Sequence, residues 1–281
     1  MLNTSVRRIC QILCAALANS YWFSLASRTI YQGRLKGFCM PALNCYACPL
    51  ALFACPIGTI QHFVAYGTYY ISLYTIGILG IVGSAVGRMA CGWICPFGFL
   101  QDLLFKIRTR KLALPHWMTY GKYLVLFLLV FLIPLLTKQP WFCKLCPAGG
   151  FEGAIPMLIL DPLLFELVGL LFVLKMVIVA VWLAAMVFIK RPFCRTACPL
   201  GAIFSFFNRA SIFTLSVDND KCIQCDECLR VCPTDIKVYE NPNDADCIRC
   251  LDCKPACPVN AISYEFAGFP RKERKEAVEN A

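Results

Sequence analysis

The chain has 281 residues, of which 59% are hydrophobic, with a mean hydropathy of +0.62 and 27 Lys/Arg against 17 Asp/Glu. These values exclude a disordered chain and an ordinary soluble globule. Twenty cysteines in so long and apolar a chain also exclude a small disulfide-stapled secreted scaffold, and leave a membrane protein that uses cysteine as a metal ligand.

Four apolar segments are long enough to cross about 30 Å of hydrocarbon as helices. In chain order they are Ile9–Ile30, His62–Val86, Thr119–Thr137, which tolerates Pro134 near its end, and Leu163–Ile189. The first follows Arg7 and Arg8 and reads as an uncleaved anchor, because its apolar run is long for a signal peptide. The loops at the N-terminus, Arg88–Met118 and Lys190–Phe213 hold 2, 5 and 4 Lys/Arg, whereas Ser27–Gln61 and Lys138–Pro162 hold 3 and 2. The positive-inside rule therefore puts both termini in the cytoplasm, with Arg28, Arg34 and Lys36 as the charges that run against it.

The cysteines mark an internal repeat. Cys-Pro-x-Gly occurs four times, at Cys55, Cys95, Cys146 and Cys198, each just outside an apolar segment. The first and third copies fall in outer loops, the second and fourth in inner loops. This predicts two helix pairs related by a pseudo-two-fold axis along the membrane normal. Phe97–Lys106 and Ala202–Arg209 follow the inner copies and read as amphipathic stretches in the membrane interface.

After residue 213 the composition changes. Residues 1–213 carry 18 Lys/Arg and 4 Asp/Glu; residues 214–281 carry 9 and 13. The basic part is also the apolar part, so the excess positive charge points to a membrane surface or bound anions rather than to nucleic acid. The acidic part holds Cys222-x2-Cys225-x2-Cys228-x3-Cys232-Pro and then Cys247-x2-Cys250-x2-Cys253-x3-Cys257-Pro. This is the two-cluster bacterial ferredoxin pattern, in which the fourth cysteine of each run ligates the other cluster. One [4Fe-4S] cluster then takes Cys222, Cys225, Cys228 and Cys257, and the other Cys247, Cys250, Cys253 and Cys232.

The pairs Cys91/Cys95 and Cys194/Cys198 share the spacing Cys-x3-Cys-Pro. Neither completes a four-thiolate site alone; together, on one membrane face, they make a third [4Fe-4S] site. Arg88, Arg191 and Arg195 favour thiolates there, and a reducing cytoplasm disfavours a disulfide. The outer face holds Cys39, Cys45, Cys48, Cys55, Cys143 and Cys146, six cysteines where one cluster needs four. The repeat selects Cys55, Cys143 and Cys146 for a fourth cluster, and leaves the last ligand among Cys48, Cys45 and Cys39. Disulfides such as Cys45–Cys48 compete in an oxidising compartment. Cys10 and Cys14 read as helix-packing residues. Four oxidised cubanes at about −2 each nearly offset the formal +10.

Two polar residues are candidates for a quinone site. Lys175, near the middle of the fourth segment, is expected to face an interior partner such as a quinone oxygen, a cluster or Glu166. His62, at the start of the second segment, is placed to accept a proton from a quinol. His116 reads as surface. No Walker loop and no Rossmann fingerprint occurs, so the chemistry on offer is electron transfer.

The four apolar segments, the paired CxxxCP motifs and the C-terminal double-cluster module resemble the NapH family of membrane ferredoxin-type proteins; the membrane and ferredoxin parts of NosR and CcoG are similar. The resemblance implies quinol oxidation with electrons passed to a partner redox protein, and carries over to Cys91, Cys95, Cys194, Cys198 and the eight ferredoxin cysteines. The six outer-loop cysteines depart from the NapH pattern and point to redox centres on both faces. NosR and CcoG add a third class of role, in maturation or regulation of another enzyme. The expected fold is an all-α membrane bundle of four transmembrane helices with an internal two-fold repeat (1–213), a small α+β bacterial-type 2[4Fe-4S] ferredoxin domain in the cytoplasm (214–267) and a charged tail (268–281). Expected partners are redox subunits of a membrane complex, the lipid bilayer and a quinone.

Overall fold

A computed structural model of the chain describes residues 2–66 and 73–266. The centre of the predicted second span and the tail from Gly268 lie outside them. The described part is a helical body capped at one end by a small cysteine-rich unit.

The helix Leu2–Ala18 ends earlier than the predicted first span. The Asn19 amide donates to the Ala15 carbonyl and the Ser20 hydroxyl to the Leu17 carbonyl, and these side chains take over the last helical acceptors. Only a single turn, Ser24–Ser27, follows before an irregular cysteine-rich loop. Next come helices Pro56–Tyr66 and Leu73–Val86, on either side of residues outside the described set.

The third span is a continuous helix, His116–Thr137, with a π-helical stretch at Leu126–Leu132. Pro134 explains a local demand there, because it has no N–H to offer the Leu129 carbonyl. The buried side chain of Gln61 supplies the donor instead, Nε2 to the Leu129 carbonyl at 2.6 Å.

The fourth span begins at Leu170 rather than Leu163, since Pro162–Leu167 forms a 3-10 turn capped by the Asp161 carboxylate. Lys175 therefore sits near that helix's beginning, not at mid-span, and Glu166 is exposed on the turn before it.

Two helices, His116–Thr137 and Leu170–Phe188, are long and apolar enough to cross a membrane. Only 11% of the second is buried, so its leucines and valines face outward, the reverse of a soluble core helix. Such an exposed apolar face suits a lipid surface. The shorter helices Leu73–Val86 and Gly149–Leu160 are also apolar.

The predicted amphipathic stretches are helices Pro96–Leu104 and Pro199–Phe207. Each packs one face inward: Phe97, Gly98, Gln101 and Asp102 of the first and six of the nine residues of the second are buried, while Leu103 and Phe206 stay exposed. Asp102 faces the buried Arg191, Gln101 the Cys194 sulfur and Ser205 the Tyr123 hydroxyl.

The cap is built on two antiparallel strands, Phe213–Val217 and Ile262–Phe266, paired from Phe213↔Phe266 to Val217↔Ile262. Phe213, Leu215, Val238, Leu251 and Ile262 make its small core. Between the strands lie the two ferredoxin-type cysteine runs. Buried charge joins the cap to the body. Arg88 and Lys122 both pair with Asp246, and Arg7 pairs with Asp252 at 2.9 Å. Arg195 reaches Asp235 at 2.8 Å, and the Trp93 indole donates to the Arg249 carbonyl at 3.0 Å.

Candidate iron–sulfur centres

Each copy of Cys-Pro-x-Gly forms the same local structure. Proline opens a helix, where its missing N–H costs nothing, and the cysteine caps it. The Gly98 N–H donates to Cys95 Sγ and the Gly201 N–H to Cys198 Sγ, both at 3.4 Å. The Gly58 and Gly149 amides serve Cys55 and Cys146 alike. The motif thus aims one N–H at one sulfur, which favours a thiolate.

The inner pairs meet as the repeat requires. Cys91, Cys95, Cys194 and Cys198 are all buried and close enough to raise one another's pKa, after burial, which is the main cause. Their arginines cross over. Arg88, beside Cys91, donates to the Cys194 carbonyl at 3.0 Å; Arg191, beside Cys194, donates to the Cys91 carbonyl at 3.1 Å. Arg191 is also held bidentately by Asp102, with both contacts at 2.6 Å. The Gln101 amide donates to Cys194 Sγ at 2.9 Å.

In the cap, Cys222, Cys225, Cys228 and Cys257 line one small cavity. Cys232, Cys247, Cys250 and Cys253 form the second set, in which burial pushes the Cys247 thiol up to about 11 and the Cys232 thiol adds to the shift. Equivalent residues of the two runs take left-handed backbone: Gln224 and Arg249 (φ 52° and 49°), Asp226 and Leu251 (59° and 63°), Asp235 and Asn260 (52° and 49°). Non-glycine residues adopt this region at a cost. Here it turns successive N–H groups into an anion-binding concavity. The Ile236 and Ala261 amides donate to Cys232 and Cys257 Sγ at 3.5 and 3.3 Å.

On the other side, Cys45, Cys55, Cys143 and Cys146 line a cavity of about 410 Å³ with Lys175. Of the three contenders for the fourth position, only Cys45 reaches it. Cys39 is buried beneath the Thr59 and Thr75 hydroxyls and bridges to Ala54; Cys48 is buried off the cavity. All twenty cysteines are free thiols, the expected rival pair Cys45 and Cys48 included. The Cys45 N–H donates to the Glu152 carboxylate at 2.9 Å, and burial pushes that carboxyl up to about 7. Gln61 accepts from the Cys143 N–H at 3.1 Å.

The outer loop does not stay on an outer surface. Its Leu43 carbonyl lies 3.9 Å from Cys95 Sγ of the inner set, so two residues separate the two sets of thiols along this path.

A second cavity, of about 370 Å³, shares Cys55, Cys143 and Tyr46 with the first and is lined on its far side by His62, Lys36 and Thr59. Lys175 thus lines the cavity of all four thiols, and His62 a neighbouring one that reaches two of them, Cys55 and Cys143. His116, by contrast, sits exposed beside Tyr120. Cys10 is half-buried on the first helix, and Cys14 packs against the core.

Among the described residues no three His, Cys, Asp or Glu side chains converge as a single-ion site. Two of the four thiol sets instead line cavities, as a cubane bound corner by corner requires. Sequence reasoning missed Gln61, Gln101 and Glu152. A signal existed, since all three stand six residues after the first cysteine of a Cys-Pro-x-Gly copy.

A family profile described as a 4Fe-4S binding domain matches residues 52–68, 68–115 and 123–155, and one described as a 4Fe-4S dicluster domain matches 192–236. An uncharacterized protein of Methanocaldococcus jannaschii is 32% identical over 76% of this chain and 87% of its own length. The methylamine utilization ferredoxin-type protein MauN of Methylobacillus flagellatus is 26% identical over 57% of this chain and 53% of its own. The ferredoxin-type protein NapH of Escherichia coli is 24% identical over 52% and 47%. The chain thus spans about half the length of these two named relatives. No solved structure matches.

Proposed function

The chain belongs to the NapH-like family of ferredoxin-type polyferredoxins, it binds [4Fe-4S] clusters, and on that premise we propose that it conducts electrons across the membrane through four of them. Two clusters take the ferredoxin cysteines as the pattern assigns them. The third takes Cys91, Cys95, Cys194 and Cys198. The fourth takes Cys45, Cys55, Cys143 and Cys146. When bound, the clusters supply one-electron chemistry. The protein holds the thiols, donates N–H groups to sulfur, excludes water and offsets the negative charge with buried arginines.

In this reading residues 1–213 form a multi-pass bundle with an approximate two-fold axis, whose sign is the crossed Arg88 and Arg191 pair. Residues 214–267 form the cytoplasmic ferredoxin domain, 268–281 a charged tail, and both termini are cytoplasmic. Cys225, exposed on the cap, marks where a soluble redox partner exchanges electrons.

The observation that carries the reading is the contact of Leu43 with Cys95. About 30 Å of hydrocarbon is too far for one efficient hop, and this inward loop removes the gap between the outer and inner thiols. The deciding measurement is iron and acid-labile sulfide per chain on anaerobically purified protein. About 16 iron, four per cluster, supports four centres. About 12 confines the clusters to three sites and sinks the outer one.

A second reading, quinol oxidation as the NapH resemblance implies, is favoured by the cavity that His62 shares with Cys55 and Cys143. His62 there is placed to take a quinol proton beside the outer thiols. Reconstituted protein that neither oxidises a quinol analogue nor reduces the quinone counts against it. A role in maturation predicts instead that deletion impairs metal loading of another enzyme while electron flow persists.

A further inference from the structure

Asn44 is 1% exposed and lines the 410 Å³ cavity between Leu43 and Cys45. Neither its Nδ2 nor its Oδ1 meets a hydrogen-bond partner. A primary amide buried with both ends unpaired is costly and calls for an explanation, a bound group among them. The nearest carboxylate is already engaged, since Glu152 accepts from the Cys45 N–H.

Lys175 approaches the cavity from the neighbouring helix. Its Nζ lies 3.5 Å, and Cys45 Sγ 3.4 Å, from the point where a side chain on Gly149 would begin. The ammonium and the thiol therefore border the same space beside Gly149. Lys144, also on the rim, is turned away to Gln139 and the Trp141 ring. The remaining wall is mostly apolar, from Leu43, Phe142, Ala148 and Met157. Besides thiols, the cavity thus presents an amide donor and a cation, the complement of a four-thiolate cluster with a net charge of about −2.

We propose that Asn44 is a positioning residue whose Nδ2 donates an N–H···S hydrogen bond to the cluster held by Cys45, Cys55, Cys143 and Cys146, and that with Lys175 it raises the reduction potential of that centre. Both groups stabilise the reduced, more negative form over the oxidised one, which is the direction of the shift. No bond to iron forms and no proton moves. The proposal rests on the outer-cluster reading above and adds to it the groups that tune the centre.

The test is an EPR-monitored redox titration of the purified full-length protein and its Asn44→Leu, Asn44→Asp and Asn44→Gln variants, each with iron counted. Expected is about 16 iron throughout, four per cluster. One midpoint falls in Asn44→Leu, falls further in Asn44→Asp and recovers in Asn44→Gln, and the other three stay fixed. Lys175→Gln lowers the same midpoint. Unchanged midpoints at full iron content overturn the role of Asn44 and leave the outer cluster standing. About 12 iron in the unaltered protein overturns the outer cluster itself and this proposal with it. Should Asn44→Leu lose iron, the nearly isosteric Asn44→Asp decides: a lowered midpoint supports the hydrogen bond and an unshifted one refutes it.

Discussion

The carbonyl of Leu43 lies 3.9 Å from the sulfur of Cys95, although 52 residues separate them and the sequence places them on opposite membrane faces. Leu43 is followed by Asn44 and then Cys45, so one short stretch of backbone touches the inner thiols at one end and presents an outer thiol at the other. At about 3.3–3.6 Å per residue, that stretch is far shorter than the bilayer. On the four-cluster reading, no diffusing carrier is then needed between the outer and inner centres. In the doubly reduced protein the outer and inner centres are expected to broaden and relax each other's EPR signals. Independent, unbroadened signals would contradict the arrangement.

The ligand assignment of the outer site separates three cysteines. Cys45→Ser is expected to lose about four iron per chain, one cluster, whereas Cys48→Ser and Cys39→Ser retain the full complement. Iron analysis of the three variants checks it, and loss of iron from Cys48→Ser but not Cys45→Ser would reverse it.

Gln61 supports the same site from behind. Gln61→Leu leaves both the Leu129 carbonyl and the Cys143 N–H without their buried partner. The expected cost is about 1–3 kcal/mol for each group, read as a lowered unfolding midpoint. Gln61→Glu keeps an acceptor for Cys143 but loses the donor to Leu129, and falls between.

Asp102 anchors the inner site. Burial alone would push its carboxyl up, but Arg191 first, then Arg7 and Arg8, more than reverse this and hold it below the usual carboxylate range. Asp102→Asn leaves Arg191 buried and unpaired, at an expected cost of about 3–5 kcal/mol. The depressed pKa fixes the pH dependence. The contribution of Asp102 is fully present above its unfolded value of 3.8 and is lost only as the pH falls through the lower folded value. The stability difference between wild type and Asp102→Asn is expected to be constant from neutral pH to mildly acidic pH. A difference that shrinks within that window would refute the ion-pair account.

Much of this was legible in the residues. Cys-x2-Cys spacing and Cys-Pro-x-Gly are local codes, and local codes survive folding: each run sits where its turn chemistry puts it. The long-range choices were not legible. Cys39, Cys45 and Cys48 have equal claims as letters, and the outer loop's inward path decides for Cys45. Helix Pro96–Leu104 looks amphipathic because Gln101 and Asp102 are polar, yet those side chains face buried Cys194 and Arg191. A polar stripe that satisfies an interior cation has the same periodicity as one that satisfies water.

The crossed arginines also bear on how the protein is made. The turn at Cys91 is finished by Arg191, and the turn at Cys194 by Arg88. A nascent chain that has emerged only as far as residue 190 thus has Cys91, Cys95 and Arg88 but lacks Cys194, Cys198 and the Arg191 that finishes the Cys91 turn. On the four-thiol assignment proposed above, iron loading there is expected to follow synthesis of both halves, which would make that site a late step in biogenesis.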